Sequence, residues 1–271
     1  MKLCRFQSLE FDAQNVGRSA QETHPAPRSG IIEGDRVSEI HGELWGPCDR
    51  TGKSWPLDGV KLLPPSTPSK IVCVGRNYSE HAKELGNEVP ERPLIFFKPP
   101  SSVIASEEPI VMPPISQRVD YEGELAVIIG RRYSQQTAGE ATAGYILGYT
   151  CLNDVTARDL QKLDVQFTRA KSFDTFCPLG PILETQLDPS GVTLETFVNG
   201  TRKQTGHTSE MMFSVDAILR FISRVMTLEP GDVIATGTPA GVGPLAAGDV
   251  VEVSVSGIGT LRNTVIAEVD A

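Results

Sequence analysis

The segment Asp120-Tyr121-Glu122-Gly123-Glu124-Leu125-Ala126-Val127 puts two carboxylates on either side of a glycine, at the head of an apolar run that continues to Ile129. In a strand alternate side chains share a face, so Glu122 and Glu124 point the same way, roughly 7 Å apart along the backbone. Gly123 has no side chain and permits close backbone approach. Two carboxylates entering a buried strand repel unless something positive stands between them. The segment therefore reads either as a solvated acidic strand end or as half of a shared cation site. A third acid, Asp154, lies in Asn153-Asp154-Val155-Thr156-Ala157-Arg158-Asp159-Leu160-Gln161, after another apolar stretch, 145–152. Alone it suits a helix N-cap. Beside Glu122 and Glu124 it offers a third oxygen ligand. Three carboxylates with no nearby His or Cys cluster suit Mg²⁺ or Mn²⁺ better than zinc, with coordination positions left for water and substrate.

Three further clusters bear chemistry. In Gly75-Arg76-Asn77-Tyr78-Ser79-Glu80-His81-Ala82-Lys83-Glu84, Ser79 can cap a helix, and His81 and Glu84 at i, i+3 share one helical face. A carboxylate beside an imidazole orients it as a general base for activating water; on spacing alone the two are equally a surface helix pair. In Arg169-Ala170-Lys171-Ser172-Phe173-Asp174-Thr175-Phe176, packing of the two phenylalanines would draw Lys171 inward, where it needs an anion such as a substrate oxyanion. A surface loop lysine is the alternative. Thr236-Gly237-Thr238-Pro239-Ala240-Gly241-Val242-Gly243 exposes backbone N–H groups able to hold a carboxylate or phosphate, although a tight turn has the same composition. It lacks the Lys-Ser/Thr ending of a P-loop. His24, His41 and His207 show no comparable arrangement and read as ordinary polar residues.

The elements that must position these groups are mostly strands. Gly30–Glu33 and Arg36–Ile40 flank the two-residue turn Gly34-Asp35. Residues 17–29 before them are polar and proline-bearing, hence a loop. Pro64-Pro65-Ser66-Thr67-Pro68-Ser69 breaks regular structure and marks a boundary between a small β-rich unit, 1–65, and the remainder, 66–271. Residues 71–74 and 94–97 read as short buried strands, and 122–129 and 145–152 as longer ones. Asn199-Gly200 joins a hairpin of 193–198 and 201–204. Residues 215–226 place Ile218, Leu219, Ile222 and Val225 at helical spacing. Strands 233–236, 250–255 and 260–269 close the chain. Without regular βαβ alternation, this is an α+β, mostly β, mixed-sheet or roll architecture rather than a doubly wound fold.

The 271 residues carry 25 Lys+Arg against 34 Asp+Glu, for a net charge of -9. That balance argues against nucleic acid and against a membrane surface as partners. No stretch approaches a transmembrane helix and no apolar leader opens the chain. Five scattered cysteines without metal-ligand or redox spacing read as free thiols of a cytoplasmic protein.

Together these segments resemble the fumarylacetoacetate hydrolase family. The resemblance rests on Gly75-Arg76-Asn77-Tyr78 with His81 and Glu84, Phe97-Lys98-Pro99, Asp120-Tyr121-Glu122-Gly123-Glu124, Asn153-Asp154 with Ala157-Arg158-Asp159, Lys171-Ser172-Phe173-Asp174, and Thr236 to Gly243, in the family's order. It implies a mixed β-sandwich roll, a catalytic Mg²⁺ or Mn²⁺, and a homodimer. It maps the metal ligands onto Glu122, Glu124 and Asp154 and a lid dyad onto His81 and Glu84. It maps substrate and oxyanion contacts onto Lys171, Gln161 and Thr238, with Arg76 near the lid. The short N-terminal unit looks like that of bacterial-type members, not the larger domain of fumarylacetoacetase. The implied substrates are 2-keto or 2,4-diketo acids. The leading expectation is hydrolysis of a carbon–carbon bond in an acylpyruvate or fumarylpyruvate. The alternatives are a 2-hydroxyhepta-2,4-diene-1,7-dioate-type isomerase, an oxaloacetate decarboxylase or tautomerase, or a metal-dependent keto-acid binding module without turnover.

Overall fold

The computed structural model describes residues 1–9, 26–84, 86, 88, 90–137 and 139–268. The architecture is mostly β, as the sequence implies. A twelve-stranded sheet runs from Arg50–Pro56 at one edge through Lys2–Ser8, Cys177–Glu184, Ile146–Asn153, Gly123–Ile129, Val233–Ala235 and Ile71–Gly75 to Leu94–Lys98 at the other. A five-stranded sheet, ordered Thr201–His207, Thr193–Val198, Val250–Val255, Gly259–Ala267 and Ile110–Met112, lies against it. A small third sheet joins Val119–Tyr121, Thr156–Ala157 and Gly243–Pro244. Among the described residues no helix is long and apolar enough to cross a membrane.

Gly123–Ile129 is buried throughout because both of its faces are covered. Leu125, Val127 and Ile129 join a core with Leu194, Val253 and Val255 of the five-stranded sheet, while Ala126 and Ile128 join another with Cys73, Leu152 and Cys177. This explains an apolar run without alternation. Glu122 and Glu124 share the face of Ala126 and Ile128; Gly123 faces the five-stranded sheet.

Register brings four strand ends to one place. Gly123 opposes Asn153 and Ala126 opposes Ala235, both in antiparallel pairs, while Ala235 runs parallel beside Cys73. Glu122 and Glu124, Asp154, the loop after Thr236 and the turn after Gly75 therefore open at the same edge of the sheet.

The hairpin turns fall where expected: Gly34 adopts φ 60, and Asn199 and Gly200 adopt φ 50 and φ 73. Three expectations need correction. Leu94–Lys98 is an edge strand rather than a buried one, with Phe97 48% exposed, because among the described residues only Ile71–Gly75 pairs with it. The amphipathic helix is Val215–Ser223, capped by Ser214, and Val225 lies beyond its end at 60% exposure. In the expected loop 17–29, Arg28 and Ser29 already belong to the Arg28–Glu33 strand; 17–25 and His24 lie outside the described residues.

Candidate active site

Glu122, Glu124 and Asp154 each offer an oxygen, and these oxygens lie within 4.8 Å of one another. All three side chains are buried. Asp154 is held by its backbone N–H donating to Glu122 O at 2.8 Å, and the Glu122 N–H donates to Asn153 Oδ1 at 2.9 Å. Asp154 caps no helix: the next one begins at Arg158, with Ala157 in the capping position. The Gly237 N–H donates to Glu124 Oε2 at 2.7 Å.

Buried cations interleave with these acids. Lys171 Nζ donates to Glu122 Oε2 at 2.8 Å and to Asp154 Oδ2 at 2.6 Å. Lys98 Nζ donates to Asp154 Oδ1 at 2.7 Å and to Val155 O at 3.0 Å. Arg158 bridges Glu122 and Asp120, with Nε 2.8 Å from Asp120 Oδ2. Four buried carboxylates (Asp120, Glu122, Glu124 and Asp154) thus face three buried cations (Lys98, Arg158 and Lys171).

The consequences for ionisation follow from this packing. Burial would raise Glu122, but the charges of Lys171 and Arg158 outweigh it and hold its carboxyl well below the usual range. Glu124 has no such partner; burial, then the charges of Asp154 and Glu122, push it well up. Burial opposes the Lys171 charge, yet Asp154 and Glu122 raise its pKa, so it stays an ammonium. Three buried carboxylates whose oxygens converge in this way fit a hard divalent cation.

The trio forms the floor of a cleft of about 480 Å³, and all nine residues singled out in the sequence line it. His81 and Glu84 lie on the Ser79–Glu84 helix. His81 is buried, and burial lowers its pKa, with the Glu122 charge opposing and the Arg158 charge assisting. Its Nδ1 stands 3.5 Å from Glu84 Oε2, too long for a strong hydrogen bond, and has no other partner among the described residues. Both Glu84 oxygens accept from the Gly241 N–H at 3.1 Å, which ties the helix to the glycine-rich loop.

The remaining expected contacts sit as follows. Lys171 is on the short helix Thr168–Lys171, 2% exposed, and is matched by the protein's own carboxylates. Gln161 Oε1 accepts from Arg158 Nη1 at 2.6 Å. Thr238 is buried, with its hydroxyl donating to Gly123 O at 2.8 Å. Arg76 is half-buried in a left-handed conformation, φ 59. Such a backbone is uncommon for a non-glycine residue and concentrates at functional sites.

Residue-type reasoning assigned no part to Lys98 or Arg158. The available signal was the charge balance itself: a buried acidic trio requires cations, and Lys98 closes the apolar run 94–97.

Known proteins similar to this chain fall in one family. A family model described as fumarylacetoacetate (FAA) hydrolase, C-terminal, matches residues 70–266, and one described as Rv2993c-like, N-terminal, matches 20–65. Oxaloacetate tautomerase YisK of Bacillus subtilis is 41% identical over 278 residues, covering 94% of this chain and 92% of that protein. The solved structure of 5-carboxymethyl-2-hydroxymuconate delta-isomerase from Mycobacterium smegmatis superposes with a TM-score of 0.87 at 44% identity, covering 99% of this chain and 100% of that one. Maleylpyruvate hydrolase from Sphingobium sp. SYK-6, solved with manganese(II) and pyruvate, gives a TM-score of 0.77 at 28% identity, covering 99% and 100%.

Proposed function

The chain belongs to the fumarylacetoacetate hydrolase family, and from that premise we propose that it is a divalent-metal isomerase that interconverts the keto and enol forms of an oxaloacetate-type 2-oxo acid. The observation that carries the reading is the buried His81 imidazole, with Glu84 beside it, lining the same cleft as three buried carboxylates. The tautomerase and isomerase names of the relatives support enol chemistry ahead of hydrolysis.

Glu122, Glu124 and Asp154 would hold Mg²⁺ or Mn²⁺, which when bound supplies a Lewis acid for negative charge on the 2-oxo oxygen. Glu84, facing Nδ1, favours the tautomer that keeps the proton there and leaves Nε2 as the base. His81 takes a proton from the carbon next to the oxo group, and the carbon–hydrogen electron pair moves to form the enolate. The same imidazolium returns that proton to the oxygen, so the net change is tautomerisation and nothing is consumed. Lys171, held as an ammonium, serves as a fixed charge rather than a proton donor. Arg158 orients the Gln161 amide, whose donor group is left for the substrate.

Hydrolysis is the second reading, favoured by the likeness to maleylpyruvate hydrolase; in it the same dyad activates water. The two are separated by adding Mn²⁺-loaded protein to freshly dissolved enol oxaloacetate and to an acylpyruvate. Faster decay of enol absorbance without pyruvate release is the expected result, with His81→Ala slowing it about 10²-fold or more. Pyruvate release from the acylpyruvate alone would establish the hydrolase, and no acceleration of either over Mn²⁺ buffer would remove both readings.

A further inference from the structure

Behind the carboxylate pair a closed ring of hydrogen bonds joins two sheets. The Gly123 N–H donates to Gln204 Oε1 at 3.0 Å. Gln204 Nε2 donates to Thr238 Oγ1 at 2.7 Å and to Pro239 O at 2.8 Å. Thr238 Oγ1 completes the ring on Gly123 O at 2.8 Å. The amide can sit only one way round, because turning it would set its NH₂ against an N–H and its oxygen against a carbonyl. Gln204 is 1% exposed, stands on the Thr201–His207 strand and does not line the cleft.

The glycine-rich loop leans directly on this strand. A Cβ on Gly241 would fall 2.2 Å from Lys203 O, and one on Gly206 would fall 2.6 Å from Pro239 Cβ. The loop also carries Gly241, which grips Glu84, and Gly237, which grips Glu124. One buried amide therefore touches both the strand of Glu122 and Glu124 and the loop against which the His81–Glu84 helix rests.

We propose that Gln204 is a positioning residue: it sets the height of the Thr238 loop over the carboxylate strand and so fixes how an oxo acid seats in the cleft. This rests on the reading of the cleft as an oxo-acid site. Glu122 and Asp154 have supports off this loop in Arg158, Lys171 and Lys98, and only Glu124 leans on it through Gly237, so Gln204 governs the acid more than the cation.

The test compares wild type, Gln204→Met, Thr238→Val and the double variant by calorimetry, first with Mn²⁺ alone and then with oxalate at saturating Mn²⁺. Gln204→Met is expected to weaken oxalate about 10- to 100-fold while Mn²⁺ affinity stays within about threefold, and KM for oxaloacetate rises with it. The two substitutions act on one contact, so the double variant should lose little more than either single one. Gln204→Asn keeps a neutral amide but is one methylene too short to close the ring; the same split is expected of it should Gln204→Met fail to fold. Oxalate affinity within twofold of wild type, additive losses, or Mn²⁺ and oxalate affinities falling together with the melting temperature would each overturn the proposal. Wild type that binds oxalate but does not turn over oxaloacetate defeats the activity and leaves this proposal standing; wild type that binds neither probe defeats both.

Discussion

The Lys98 side chain has no exposed surface, and its Nζ is matched by one Asp154 oxygen and one backbone carbonyl. Replacing it with Met leaves Asp154 with Lys171 as its one remaining ammonium partner. The expected cost is about 3–5 kcal/mol in urea unfolding, the scale for breaking a buried pair. Glu124 makes the opposite case. Its carboxyl is pushed up by burial and by the charges of Asp154 and Glu122, so a cation bound there competes with a proton. Mn²⁺ affinity is expected to increase with rising pH, with proton release seen by calorimetry in buffers of different ionisation heat. Glu124→Gln should abolish this dependence and weaken Mn²⁺ at least about tenfold. Affinity independent of pH would contradict the assignment. His81, being lowered, stays neutral to below its ordinary range, so the acid limb of kcat/KM should have its midpoint below pH 6.5. The acids of the site were legible because their types and spacing imply one another. Lys98 and Arg158 were not, since their role depends on which carboxylate lies beneath them, a long-range fact that no local spacing encodes.

Strands are where Gly123 acquires its meaning. A Cβ there would lie 2.2 Å from Thr196 Oγ1 and 3.2 Å from Val253 Cγ1, both on the five-stranded sheet. Gly123→Ala must push the sheets apart, at a cost of about 1–3 kcal/mol, and should lower Mn²⁺ affinity in parallel with the melting temperature. Unchanged stability would show that the sheets yield freely at this point. The sequence showed that a close approach was possible here, but not to what. Hairpins were legible for the same reason that Leu94–Lys98 was misjudged. A turn is encoded by its own residues, whereas an apolar strand carries no mark of how many neighbours will cover it. Val225 failed similarly, continuing a helical spacing past the point where the chain leaves the helix.

At the scale of the molecule, the N-terminal strands continue the large sheet: Leu3 pairs with Leu183, and Arg5 to Ser8 pair with 60–63. Both tryptophans, Trp45 and Trp55, lie in the first 65 residues. Tryptophan fluorescence and far-UV circular dichroism are therefore expected to report coincident unfolding, and an earlier fluorescence change would mean the first strands melt alone. The Pro-rich break at 64–69 was visible in the sequence, while the pairing across it, between strands far apart in the chain, was not. All five cysteines are free, so dithiothreitol should leave the melting temperature unchanged. The order of the central strands has one more consequence. Val233–Ala235 enters between Gly123–Ile129 and Ile71–Gly75, and the Gly237 amide reaches Glu124 just after it. On the ribosome the carboxylates are synthesised long before this late wedge arrives. A nascent chain halted short of it carries the three acids of the proposed cation site without the Gly237 amide that fixes Glu124.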